Sequence, residues 1–325
     1  MFTRIAALAA CLGLLVLVAP ATAATDLGTV NLSWSPGPDT PQVAQAMDKG
    51  LWAQRGVTVH TSSTPTGREA LEALIGGQVD YALMAELPPV IGAMQHRDFR
   101  IIALLSRYSG ERIIATSALD LSSLKSLAGR KIGTILGTSN DYQTFAVLRS
   151  AGVNATVVNA GPADLVPALA RGDIDAACMF PQFYPQAKKV LGDRYRERRT
   201  PEYVGTFLLV ATTAELTNHP ARVRAMLSGL LAANQLVMQD PARSAAVVSK
   251  AMGGLSAPAD IQALWADYHF GIVLDRPLIQ LLDEEGHWVH DSGFVKGPEP
   301  DAGLFSSYVD ASFLAAVAPH SVQLK

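Results

Sequence analysis

The sequence predicts an α/β protein made of two pseudo-symmetric α/β lobes joined by a two-strand hinge. Three observations carry that expectation. Short apolar runs alternate with helical patterns along the chain, which argues for parallel sheets covered by helices. The motif Ala-Leu-x-x-Gly-x-(Val/Ile)-Asp-x-Ala occurs at Ala73 to Ala82 and again at Ala168 to Ala177, 95 positions on. A second pair, Ile113 to Ala118 and Leu209 to Ala214, follows at nearly the same offset. It reads as two strands crossing between lobes. The expected layout is a leader at 1–24, lobe one from 25–117 and 207–325, and lobe two inserted as 118–206.

The leader comes first. Arg4 gives a positive start, Ile5 to Val18 is apolar without charge, Pro20 breaks the run, and Ala21-Thr22-Ala23 offers a small-x-small cleavage site. That pattern is a cleaved secretory signal peptide, and the apolar run is shorter than the roughly 20 residues of a spanning helix. Leu8-Ala9-Ala10-Cys11 matches a lipoprotein box, but Arg4 stands too close to it for a normal apolar segment. Lipidation at Cys11 remains the alternative.

Val30 to Trp34 reads as a strand, and Ser35 to Asp39 as the loop after it. Thr40 then offers an N-cap and Pro41 a first helical position. Val43, Ala44 and Met47 are expected on the buried face of that helix, which stops near Gly50. Thr66 and Glu69 form a capping box opening a helix with the apolar stripe Ala70, Leu71, Leu74 and Ile75. In both copies of the repeat a helix ends at the glycine, Gly77 or Gly172, and a buried strand starts after the aspartate, Asp80 or Asp175. Those aspartates are expected to shape the start of a strand rather than to act in catalysis. Lys131 to Leu136 reads as a strand, Ser139 onward as a helix ending at Gly152, and Thr156 to Asn159 as a further strand.

Composition excludes several classes. Without Arg4 the mature chain has 25 basic and 29 acidic residues, and no basic footprint suited to nucleic acid. Arg194 to Arg199 is a mixed basic surface stretch. The single mature cysteine, Cys178, sits in an apolar run and is expected as a buried strand residue. It allows no internal disulfide and no thiolate metal site. Asp283-Glu284-Glu285 with His287 and His290 is dense enough to suggest a metal cluster, but a solvated helix end is the expected reading. Gly137-Thr138-Ser139-Asn140 lacks the Gly-x-Ser-x-Gly elbow of a serine nucleophile, and no Walker or dinucleotide glycine pattern occurs. The chain is read as a non-enzyme without cofactor or metal.

Open α/β sheets place ligands beyond the carboxyl ends of their strands. Three loops there carry the candidates: Trp34 and Ser35; Glu86 and Leu87; and Thr138, Ser139, Asn140 and Asp141 after Gly137. The third resembles an anion site of free helix amides, or else ordinary helix capping. Gly67 and Arg68 open a helix opposite, where the arginine could grip an oxyanion bidentately or extend into solvent. Phe180 and Gln182 close the strand of the second repeat. Trp34, Tyr142 and Phe180 could sandwich an organic group.

Over nearly the whole mature chain these residues resemble the nitrate/sulfonate/taurine class of substrate-binding proteins of ABC importers, with the type II periplasmic binding fold. The resemblance rests on Met47 to Trp52 before Gly56 to Val59, and on Gly77 to Asp80, Ala85 to Pro89, Leu127 to Gly133 and Gly137 to Tyr142, in that order and spacing. It implies a periplasmic monomer that traps a small ligand between its lobes and delivers it to a membrane permease and ATPase. The loops matching Ser35, Glu86 and Gly137 to Tyr142 would line its cleft. The implied ligand is a small organic anion, such as a sulfonate, sulfate ester or carboxylate, or a taurine-like zwitterion. Glu86 and Asp141 leave open a neutral or cationic heterocycle such as a thiamine-pyrimidine precursor. Thiamine-pyrimidine synthases share the family look but carry a cysteine-rich motif that Cys178 alone does not supply. Cytoplasmic menaquinone-pathway enzymes also share the fold, and the leader argues against them. An exported enzyme on this fold is the runner-up from another class.

Overall fold

The computed structural model describes residues 25–324; the leader expected at 1–24, with Cys11, lies outside them. Two sheets organise the chain. The larger contains β1 (Gly28–Ser33), β2 (Val57–Ser62), β3 (Tyr81–Ala85) and β4 (Arg100–Tyr108). The chain then builds the smaller sheet from β5 (Arg112–Thr116), β6 (Lys131–Thr134), β7 (Thr156–Asn159), β8 (Ala176–Cys178) and β9 (Tyr195–Arg199). It returns to the larger sheet as β10 (Gly205–Ala211), β11 (Tyr268–Asp275) and β12 (Val322–Gln323).

Helices α1 (Pro41–Asp48), α2 (Gly67–Ile75) and α3 (Leu87–Met94) accompany the first strands, and α4 (Ser139–Ala151), α5 (Leu165–Arg171) and α6 (Tyr184–Leu191) the smaller sheet. After β10 come α7 (Thr213–Asn218), α8 (Pro220–Gln239), α9 (Pro241–Ala251) and α10 (Pro258–Trp265). Then come α11 (Arg276–Asp291), α12 (Leu304–Ser307) and α13 (Ser312–Val317), ahead of β12.

The strand orders are β12-β11-β4-β10-β3-β1-β2 and β7-β6-β8-β5-β9. Read inward from β2 and from β7, the first five strands of the larger sheet match the five of the smaller. In each, the first three strands pair in parallel and the next two antiparallel. The second sequence repeat therefore marks equivalent strands, β5 and β10. Neither is the crossing itself. The chain passes between sheets at 109–111 and 200–204, so Ile113 to Thr116, expected as a crossover, lies inside the smaller sheet.

The first repeat has the local role expected of it. Gly77 and Gly172 adopt φ of 69° and 82°, a left-handed turn that glycine enters without a Cβ penalty. Each aspartate then clamps the neighbouring parallel strand. Asp80 Oδ2 accepts from Asn31 N at 2.8 Å while Asp80 N donates to Asn31 O at 2.9 Å. Asp175 does the same to Lys131, at 2.8 Å both ways. These bonds close strand ends that would otherwise leave backbone groups unpaired.

The smaller sheet alternates faces with period two, as a strand must. Ile113, Ala115, Ile132, Ala176 and Cys178 pack with Leu124 and Leu127 in one cluster, while Ile114 and Ala177 join the main core. Cys178 is fully buried, and burial pushes its thiol up to about 12.

Two local expectations change. Met47 is 40% exposed, because α1 buries Pro41 through Ala46 instead. The charged run is not a wholly solvated helix end either. His287 reaches Glu299 and His290 reaches Asp291 on the outside, but Glu285 on the same helix is completely buried.

Candidate functional site

A cleft opens between the sheets where the strand ends converge. Its walls are the loops after β1 and β2, the end of β3, and the loops after β6 and β8, with β4, β10 and β11 contributing from the antiparallel side. That position follows the strand-end rule for open α/β sheets.

The loop after β1 is held rigidly. Ser35 Oγ donates to Thr64 O at 2.6 Å, Trp265 Nε1 donates to Pro38 O at 2.7 Å, and Ser106 Oγ donates to Asp39 O at 2.7 Å. These bonds set the half-buried Asp39 side chain in the cleft wall. Gly37 makes room for it, because a Cβ there would run into the Asp39 carboxylate.

Glu111 enters from the first crossing segment and is 5% exposed. Its Oε2 accepts from Tyr184 Oη at 3.2 Å. Beside these carboxyls stand Tyr108 and Tyr268, register partners on β4 and β11 whose rings stack at 4.3 Å. Burial pushes the Asp39 carboxyl up to about 7. Burial also raises Glu111, to about 8, with the nearby Glu86 charge adding to it against the Tyr184 hydrogen bond. Among the described residues, no lysine or arginine lines the cleft.

Of the residues expected from sequence, Ser35 and Gly67 line the cleft from the larger sheet. Thr138, Ser139 and Asn140 line it from the start of α4, and Phe180 and Gln182 from beyond β8. Six others lie elsewhere. Trp34 is 7% exposed, and its indole N–H is committed to Thr40 Oγ1 at 2.9 Å. Thr40 thus serves the core instead of capping α1. Leu87 is a core residue of α3. Arg68 is exposed and reaches along the rim towards Gly137.

Glu86 turns wholly inward. Its Oε2 accepts from Thr206 N and Thr206 Oγ1, both at 2.9 Å, and its Oε1 accepts from Tyr203 Oη. Asp141 is 7% exposed and faces Phe145 and Trp288 behind α4. Its Oδ2 accepts from Gly137 N at 3.0 Å, so the carboxylate closes the loop before α4 instead of facing the cleft. Tyr142, expected to flank the ligand, packs edge-on against Trp288 and Tyr203.

Sequence reasoning reached the loop holding Asp39 but not the residue, and it missed Tyr108, Glu111 and Tyr268. Asp39 and Glu111 had a usable signal, each being an acidic residue beside a strand end or crossing. The tyrosine pair had none, because its partners are brought together only by β4–β11 pairing.

With this geometry in view, the likenesses to known proteins are consistent with one another. Residues 38–244 match the family described as NMT1/THI5 like. A putative aliphatic sulfonates-binding protein of Escherichia coli (strain K12) is 25% identical over 209 residues, 63% of this chain and 64% of that protein. The taurine-binding periplasmic protein of the same strain is 24% identical over 151 residues, 46% of this chain and 47% of that one. The chain thus spans less than two thirds of the length of these curated relatives. Among solved structures, the alkanesulfonate-binding protein SsuA from Xanthomonas axonopodis pv. citri bound to MOPS superposes with a TM-score of 0.73. The match is 19% identical and covers 89% of this chain and 100% of that one. The chain belongs to the NMT1/THI5-like family and has the periplasmic binding protein fold.

Proposed function

We propose that this chain is the extracytoplasmic substrate-binding component of an ABC importer, capturing a small organic solute in the cleft between its sheets. Its ligand is a nitrogen base, a heterocycle or amine that presents N–H donors or positive charge. One observation carries the ligand class: among the described residues, the cleft presents the carboxyls of Asp39 and Glu111 and no cationic side chain. A buried carboxyl gains most from a partner that donates or carries positive charge. Relatives named as binding proteins support capture over catalysis. The leader pattern of residues 1–24 supports delivery to the periplasm, and the role implies a permease and an ATPase as partners.

A small organic anion is the second reading. The open first-turn amides of α4 and the start of α2 favour it, as do relatives named for sulfonates and taurine.

Calorimetric titration of residues 25–325 separates the two. The panel pairs benzamidine, 4-aminopyridine and tyramine with benzenesulfonate, isethionate and taurine. At least one nitrogen base is expected to bind ten times more tightly than every sulfonate. Binding confined to the sulfonates reverses the assignment of ligand charge. Recovery of a chemically altered ligand by mass spectrometry would replace capture with catalysis.

A further inference from the structure

The two crossing segments are tied to each other and to the cleft. Thr200 N donates to Glu111 O at 2.9 Å, joining the segments directly. Gln143 Nε2 donates to Arg112 O at 3.2 Å and to Thr200 Oγ1 at 2.9 Å, tying the start of β5 to the second crossing segment from α4. Because Gln143 spends its amide hydrogens there, its Oε1 is the acceptor for Asn140 Nδ2 at 3.0 Å.

Glu111 occupies the centre of this arrangement. Arg112 N donates to Tyr184 Oη at 3.1 Å, and that hydroxyl donates to Glu111 Oε2. Oε1 carries no hydrogen bond and lies against Gly205, the first residue of β10, where a Cβ would approach it to 2.9 Å. Among the described residues of 109–111 and 200–204, Glu111 is the ionisable one that lines the cleft. A charge bound to it is therefore bound to the hinge.

We propose that Glu111 couples ligand charge to closure. Its carboxylate takes a ligand N–H with Oε1 while Oε2 holds Tyr184 of α6 and the backbone carbonyl holds Thr200 of the second crossing segment, so recognition and hinge geometry depend on one residue. Asp39, carried by the larger sheet alone, contributes affinity without that coupling. Hinge motion of this kind is absorbed by a few residues at element ends. The proposal rests on the nitrogen-base reading above.

The test compares wild type, Glu111→Gln, Glu111→Asp and Asp39→Asn against the same three nitrogen bases. Calorimetry reads affinity, and small-angle X-ray scattering at saturation reads closure. Wild type is expected to contract on binding. Glu111→Gln should bind about thirtyfold more weakly, the scale of a charge-assisted hydrogen bond, and should not contract even when saturated. Asp39→Asn should lose affinity yet contract fully once saturated. Glu111→Asp, which keeps the charge, should regain part of the contraction and guards against misfolding of the amide variant. A saturated Glu111→Gln that contracts like wild type overturns the coupling alone. Failure of every nitrogen base to bind wild type overturns the ligand reading, and the coupling with it.

Discussion

Replacing Glu285 with glutamine is expected to stabilise the protein at pH 8 by about 1–3 kcal/mol, an unpaired buried carboxylate being a costly group. Glu285 is completely buried on α11, and neither of its oxygens has a hydrogen-bond donor. It faces Glu86, itself fully buried and already served by Tyr203 and Thr206. Tyr203 and Tyr142 are the other titratable groups turned towards it, with Glu284 beside it in sequence. No cation is paired with either carboxyl among the described residues.

Burial first, then the Glu86 charge, raises the Glu285 carboxyl well above the ordinary range. An acid whose folded pKa lies above its unfolded one gives stability that is fully present below the unfolded value and is lost as pH rises through the folded value. Glu111 and Asp39, raised to about 8 and about 7, act with the same sign. Wild type should therefore lose stability to urea steadily from pH 5 to pH 8. Glu285→Gln keeps an N–H for Glu86 and removes the ionisation, so its profile should be flatter, with little gain at pH 4.5. A variant less stable than wild type at pH 8 would refute this account of the pair.

The second large effect is on binding. Gly37→Ala is expected to weaken nitrogen-base binding at least tenfold while leaving the fold intact. The added methyl meets the Asp39 carboxylate, and the loop cannot shift to absorb it. Pro38 and Asp39 are fastened through their carbonyls to Trp265 and Ser106. The carboxyl must rotate instead, away from the seat it occupies in the cleft wall. Gly37 has an ordinary backbone conformation, outside the positive-φ set, so the alanine brings no strain of its own. Gly37→Ala and Asp39→Asn should then be non-additive, since both remove the same interaction. Unchanged calorimetric affinity in Gly37→Ala would show that Asp39 does not meet the ligand.

Much of the architecture is legible in the sequence because local signals repeat. The turn glycines Gly77 and Gly172 are dictated within a few residues, Asp80 and Asp175 recur beside them although the backbone groups they clamp lie on a neighbouring strand, and β5 and β10 carry matching apolar runs. The crossings are not legible, because 109–111 and 200–204 are short irregular stretches whose role exists only between sheets. Where loop position decides, the site is legible too: Ser35, Gly67, Thr138 to Asn140, Phe180 and Gln182 follow strand ends or open helices. Where side-chain direction decides, it is not. Trp34 gives its indole to Thr40, and Glu86 turns inward to a backbone amide 120 positions away. Asp141 satisfies the amide of Gly137 four residues before it. Tyr108 and Tyr268 meet only through strand pairing.

Proton release is the most direct measure of nitrogen-base capture by the cleft carboxyls. Burial pushes the Asp39 and Glu111 carboxyls up to about 7 and about 8, so both are expected to be partly protonated in the free protein at pH 7.5. A cation favours their ionised forms, so binding must expel protons and affinity must rise between pH 6 and pH 9. Titrating wild type with benzamidine in phosphate and in Tris, buffers of different ionisation enthalpy, reads that release. Net proton release with tighter binding at higher pH is the predicted result. Proton uptake, or affinity that falls as pH rises, would contradict it.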